Sequence, residues 1–68
     1  MKTLDLHGVR HQEVERLVEN FVLLNDSWKI ICGNSDKMIQ IVREKLDWAY
    51  DNHGVEWYKP IHNTFSSL

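Results

Sequence analysis

The residue types and the spacing of Asp5 and His7 suit general acid–base catalysis. They lie in the segment LDLHG at residues 4–8, where apolar and polar residues alternate. In a strand, residues two apart are about 6.6 Å apart between Cα atoms and point to the same face. A carboxylate so placed can hold an imidazole in one tautomer or raise its basicity. Such a pair suits phosphodiester cleavage, which needs an acid and a base; the alternative is a solvated polar face that keeps a sheet soluble.

The segment CGNSDK at residues 32–37 is a second candidate. It lies between a short apolar run and an amphipathic segment, where a strand would lead into a helix. Backbone N–H groups at a helix N-terminus favour anions such as phosphate, and Gly33 allows a close approach while Lys37 adds a cation. Asn34 and Ser35 are candidate N-caps, so the alternative is a capped helix start that binds nothing.

Basic residues beside these two segments predict a small patch at one edge of the fold. Arg10 and His11 follow Gly8 and open the first helix, and Lys29 precedes the second segment. Together with His7 and Lys37 they would contact a phosphate backbone without reading its sequence. Ordinary surface charge is the alternative, and we favour it for Lys29.

Metal and thiol chemistry are weaker interpretations of the same residues. His7 and His11 are four apart and Asp5 is close in sequence, which resembles a two-His, one-carboxylate ligand set. That pairing needs both histidines on one helix, whereas Gly8 separates them here. Cys32 is a candidate nucleophile, but a single cysteine at a strand end is usually buried and inert. The cofactor is therefore unknown from the sequence, and a divalent metal stays open.

The hydrophobic pattern predicts six elements that position these residues. Strands are expected at 3–7, 28–32, 55–59 and 64–68, with helices at 11–25 and 36–51 and a turn from Pro60 through Asn63. One helical stripe comprises Val14, Leu17, Val18, Phe21 and Val22. The other comprises Ile39, Val42, Leu46 and Ala49, widened by Met38, Ile41 and Trp48. Gly54 is the expected residue after the second helix.

This element order predicts a two-layer α/β (α+β) sandwich of βαβαββ topology. The first three strands can pair in parallel through right-handed crossovers, and the last two should pair antiparallel. Because each helix has one apolar stripe, both helices should cover one face of a mixed four-stranded sheet. Leu4 and Leu6 would face the helices, and Asp5 and His7 would point to the open face.

The aromatic residues divide between core and surface in this scheme. Trp57 and Tyr58 must face opposite sides of their strand, so one of them is a candidate for the open face. Bases stack on exposed aromatic side chains, although such residues more often fill a small core or a dimer contact. His53 and His62 fall in predicted turns and receive no role.

Composition places the chain in a broad class. Its 68 residues predict one domain spanning 1–68, and its single cysteine excludes an internal disulfide. No charged-then-apolar leader and no apolar run of about 20 residues is seen, so we expect a cytoplasmic protein without a membrane partner. The formal net charge of −2 argues mildly against tight nonspecific nucleic-acid binding, although a local cluster can still be basic.

Three segments together resemble the small MutS-related (Smr) domain family. They are LDLHG, a helix with an early glutamate, and IICGNS leading into a helix that contains IVREKL. The resemblance covers residues 3–49, and this chain resembles a minimal stand-alone copy. Gly33 matches the first glycine of the family's second motif. Cys32 stands where Thr or His is usual, and Ser35 stands where the second glycine is usual.

The resemblance implies activity on nucleic acid, as DNA nicking or RNA cleavage. It also implies a βαβαββ fold similar to the C-terminal domain of a bacterial translation initiation factor. Asp5 and His7 would then be the catalytic pair. Phosphate-binding residues would be Gly8, Arg10, His11, Gly33, Asn34, Ser35 and Lys37. The expected partner is DNA or RNA, with the protein a monomer or weak homodimer; the alternative is a non-catalytic nucleic-acid or protein-binding module.

Overall fold

Four strands and two helices alternate along the chain in the predicted βαβαββ order. The computed structural model describes all of residues 1–68. The elements are β1 (Lys2–Asp5), α1 (His11–Leu24), β2 (Trp28–Ile31), α2 (Asp36–His53), β3 (Trp57–Ile61) and β4 (Thr64–Ser67). The α+β class and the four-stranded mixed sheet predicted from the sequence are confirmed.

The strands form one sheet in the order β1-β2-β4-β3. β1 and β2 pair in parallel, whereas β4 lies between β2 and β3 and is antiparallel to both. Parallel pairing of β3 with β2, which the sequence allowed, is therefore absent. β4 occupies an interior position in the sheet and β3 an edge position. This agrees with the burial of the two strands, because Phe65 of β4 is fully buried while most of β3 is exposed.

The predicted turn after the third strand is wrong in its extent. Pro60 and Ile61 belong to β3, and the turn contains only His62 and Asn63. Proline is tolerated here because β3 is an edge strand, where a missing N–H breaks no pairing in the sheet interior. The register also shifts between Tyr58 and Ile61, as a bulge would produce.

Both helices pack on one face of the sheet, as predicted. From the sheet side, Leu4, Ile30 and Phe65 are neighbours across three strands and point to this face. The buried helical residues are Val14, Val18 and Val22 of α1 and Met38, Ile39, Val42, Leu46 and Ala49 of α2. They are most of the two predicted stripes. Apolar burial of this kind is the main driving force for a fold of this size.

Both ends of α2 are closed by local hydrogen bonds. At its start, the Ser35 Oγ accepts a hydrogen bond from the backbone N–H of Met38 at 3.1 Å. At its end, Gly54 has a φ of 67° and donates its N–H to the Tyr50 carbonyl at 3.1 Å. Ser35 and Gly54 therefore act as the predicted caps.

Replacement of Gly54 tests the left-handed cap. A Cβ at this position meets open space, so any cost of Gly54→Ala comes from the backbone conformation alone. We expect Gly54→Ala to lower the free energy of unfolding by about 1 kcal/mol, measured by urea denaturation. Gly54→Asn is the matched control and should lose less, because asparagine tolerates this conformation. Equal losses for the two variants would contradict the explanation.

Candidate functional site

The two candidate segments meet at one edge of the sheet because β1 and β2 are parallel. Asp5 lies opposite Ile31 in the register, and the Leu6 N–H extends the pairing by donating to the Ile31 carbonyl at 2.8 Å. His7 and Gly33 follow these residues and are side by side. The His7 Cδ2 lies 3.9 Å from the point that a Cβ on Gly33 would occupy.

Gly33 has a conformation that a larger residue rarely adopts. Its φ is +73°, and the imidazole of His7 lies directly beside it. A side chain here would be strained by this backbone conformation, whereas its Cβ would meet the His7 ring at an ordinary van der Waals distance of 3.9 Å. Glycine at this position therefore permits the turn after β2, in which the N–H groups of residues 33–35 donate to no other backbone group.

The carboxylate of Asp5 contacts the backbone of His7, not its ring. The Asp5 Oδ1 accepts a hydrogen bond from the His7 N–H at 3.0 Å. β1 ends at Asp5, so His7 lies in a turn rather than in the strand predicted over 3–7. Asp side chains commonly bond backbone two residues ahead in such turns. Asp5 thus holds the turn, and the exposed imidazole of His7 has no hydrogen-bond partner in the protein.

The N-terminus of α2 forms the second side of this edge. Asn34 and Lys37 are exposed, and Lys37 has no ion-pair partner. The hydroxyl of Ser35 is engaged in the cap, which leaves its backbone rather than its side chain for a ligand. Asp36, the first residue of α2, lies 3.5 Å from the His62 Nε2.

His62 is at this edge although the sequence assigned it no role. The turn of the β3–β4 hairpin is tied to the end of β2, because the Cys32 N–H donates to the Asn63 carbonyl at 2.8 Å. This places His62 beside Asp36. No local signal identifies it, since its position depends on β4 pairing with β2.

Arg10 and His11 are at the start of α1, where the chain leaves the same edge. Arg10 is the N-cap residue by backbone geometry and makes no side-chain capping bond. Both side chains are exposed and lack ion pairs. Lys29 is separate from this group: it lies within β2 between Thr3 and Ser66 on the open sheet face.

The edge is an open surface rather than a cavity. Neither His7 nor Gly33 lines any of the three concave regions of the molecule. No group of three or more His, Cys, Asp or Glu side chains is placed to hold a metal ion. The groups available to a ligand at the edge are an exposed imidazole, backbone N–H groups and exposed cations.

Cys32 belongs to the core and not to this surface. Its side chain is 2% exposed and packs in the main apolar cluster. Burial raises the pKa of its thiol to about 11, a rise that the charge of Lys59 partly offsets. Since the thiolate is the nucleophilic form, Cys32 is unreactive at neutral pH.

Comparison with models of protein families, with curated proteins and with solved structures found no match to this chain. No helix in the structure combines the length and the apolar character needed to cross a membrane.

Alkylation of Cys32 tests its burial. We expect iodoacetamide to label the folded protein at pH 7.5 at least about tenfold more slowly than the urea-unfolded chain, because the raised pKa keeps the thiol protonated. Mass spectrometry would follow the reaction. The raised pKa also means that stability is retained below pH 9 and falls as the pH rises towards 11. Cys32→Ala should lose that part of the pH dependence, and rapid labelling of the folded protein would contradict this placement.

Proposed function

We propose that this protein is an Smr-like endonuclease that cleaves phosphodiester bonds in DNA or RNA. The observation that supports this best is the proximity of the exposed His7 ring to Gly33: the His7 Cδ2 lies 3.9 Å from the point that a Cβ on Gly33 would occupy, where the two candidate segments adjoin. An imidazole beside free backbone N–H groups combines a proton-transfer group with an anion-binding position. Phosphodiester cleavage requires both.

His7 carries the chemistry in this proposal. Its imidazole takes a proton from the attacking hydroxyl or donates one to the leaving oxygen, the two roles that histidine most often has in general acid–base catalysis. Asp5 enters as a positioning residue that holds the His7 backbone, in place of the acid/base partner predicted from spacing. The phosphate would be bound by backbone N–H groups from Gly33 to Ser35, with Arg10 and Lys37 as exposed cations.

Loss of His7 tests the enzymatic role. We expect His7→Ala to reduce cleavage of labelled RNA or supercoiled plasmid at least about 100-fold, the usual minimum for a general acid or base, while circular dichroism remains unchanged. His53→Ala is the matched control, because His53 is at the far end of α2. Each assay is run with and without EDTA on DNA and RNA panels. If the folded wild type cuts no substrate, the proposal fails.

Two substitutions at Asp5 separate positioning from proton transfer. Asn keeps an oxygen that accepts the His7 N–H, whereas Ala removes it. We expect Asp5→Asn to retain most of the cleavage rate and Asp5→Ala to lose about tenfold or more, since a small misplacement of a catalytic group is costly. Steady-state kinetics with both variants checks this. Equal and severe losses would instead assign Asp5 to proton transfer.

A non-catalytic nucleic-acid-binding module is the second candidate. Two observations favour it: the Ser35 hydroxyl is occupied by the cap, and His7 faces open surface rather than a closed cleft. Closed sites exclude water from reacting groups, and an open edge does not. Under this candidate the cleavage assays show no turnover, while binding to the same oligonucleotides is present and weakens steeply with salt.

A further inference from the structure

A groove between α2 and β3 lies outside the site described above. Its volume is about 430 Å³, and Ile39, Trp57 and Phe65 line it with apolar surface. Trp57 is partly exposed and meets the ring of Phe65 edge to face, with centroids 5.5 Å apart. The groove therefore offers an aromatic lining that the core does not fully cover.

Two cations without ion-pair partners also line this groove. Arg43 projects from α2 and Lys59 from β3, and the Lys59 Nζ lies 5.7 Å from the Phe65 ring centroid. Neither makes a salt bridge. The one carboxylate in the lining is that of Asp36, whose Oδ1 lies 3.5 Å from the His62 Nε2. A groove lined by two cations and by aromatic rings suits a ligand that has both an aromatic ring and an anionic group.

The groove begins at the candidate site. Asp36 lies at its end and directly follows Ser35, so the lining starts where the proposed phosphate-binding segment stops. Asp36, Gln40 and Arg43 lie on one face of α2, and the seven steps from the first to the last span about 10 Å along the helix axis. A chain bound at the edge could continue into the groove without crossing the core.

We propose that this groove binds one nucleotide of a single-stranded nucleic acid whose neighbouring phosphodiester lies at the edge. The base would pack against Trp57, and its phosphate would lie between Arg43 and Lys59. A single strand is required because bases in a duplex are stacked and paired and are not free to enter a groove. This proposal rests on the proposed function for its choice of nucleic acid as the ligand.

Paired charge-removal variants test the groove. Arg43→Gln with Lys59→Gln removes two cations inside it, and Arg16→Gln with Lys2→Gln removes two exposed cations elsewhere. Both doubles are made in a His7→Ala background, so that the oligonucleotide stays intact. We expect the groove double to weaken binding of a fluorescent single-stranded decamer about tenfold by anisotropy, and the control double less than about twofold. Equal losses in the two doubles would overturn the proposal.

The aromatic contact is tested separately. Trp57→Phe keeps an aromatic ring against Phe65, so the fold is retained, but it offers a smaller stacking surface. We expect it to weaken single-strand binding several-fold, since one stacked base contributes on the order of tenfold or more, and to leave binding to a blunt duplex hairpin unchanged. An equal loss for both ligands would overturn the single-strand choice.

An NMR titration with adenosine 5′-monophosphate separates failure of the groove from failure of the enzyme. We expect shifts at the Trp57 indole N–H and at the amides of Gln40 and Arg43. If the protein shows these shifts but cleaves no substrate, the proposal of a nucleotide-binding groove is supported and the nuclease proposal fails. The opposite result would be cleavage that Arg43→Gln with Lys59→Gln leaves unaffected, together with no NMR shifts at the groove residues. That result would support the nuclease proposal and overturn the proposal that the groove binds a nucleotide. A groove that served a protein ligand would also give no shifts.

Discussion

The parallel pairing of β1 with β2 is the constraint on which the candidate site depends. Two parallel strands end at the same edge of a sheet, and here the register sets Asp5 against Ile31. His7 and Gly33 follow these two residues and are far apart in sequence. The pairing of β1 with β2 is what brings them together. The crossover helix α1 supports this pairing by burying an apolar stripe over the two strands.

The same core separates groups that could react from groups that cannot. Leu6 and Cys32 flank the edge and are both buried, whereas their neighbour His7 is exposed. Alternation along each strand end therefore places a thiol inside and an imidazole outside. In a chain of 68 residues the core is small, and every buried position near the edge contributes to stability rather than to chemistry.

Local charge matters more than net charge for what this surface can bind. The formal charge is −2, yet two of the three ion pairs lie within or between the helices, Arg16 with Glu13 and Lys45 with Glu19. Arg10 and Lys37 near the edge, and Arg43 on α2, make no ion pair. A surface with free cations on one side can attract an anionic polymer even when the whole molecule is slightly acidic.

The sequence by itself determined the elements, the helix caps and the fold class. Periodicity and capping are local properties, so the two helices, Ser35 and Gly54 could be predicted from neighbouring residues alone. Tertiary structure decided what depends on distant pairing. The insertion of β4 beside β2 brought His62 to the edge, and it extended β3 through Pro60. Strand order and the contacts across it follow from how apolar faces share one core, and a local pattern does not contain that information.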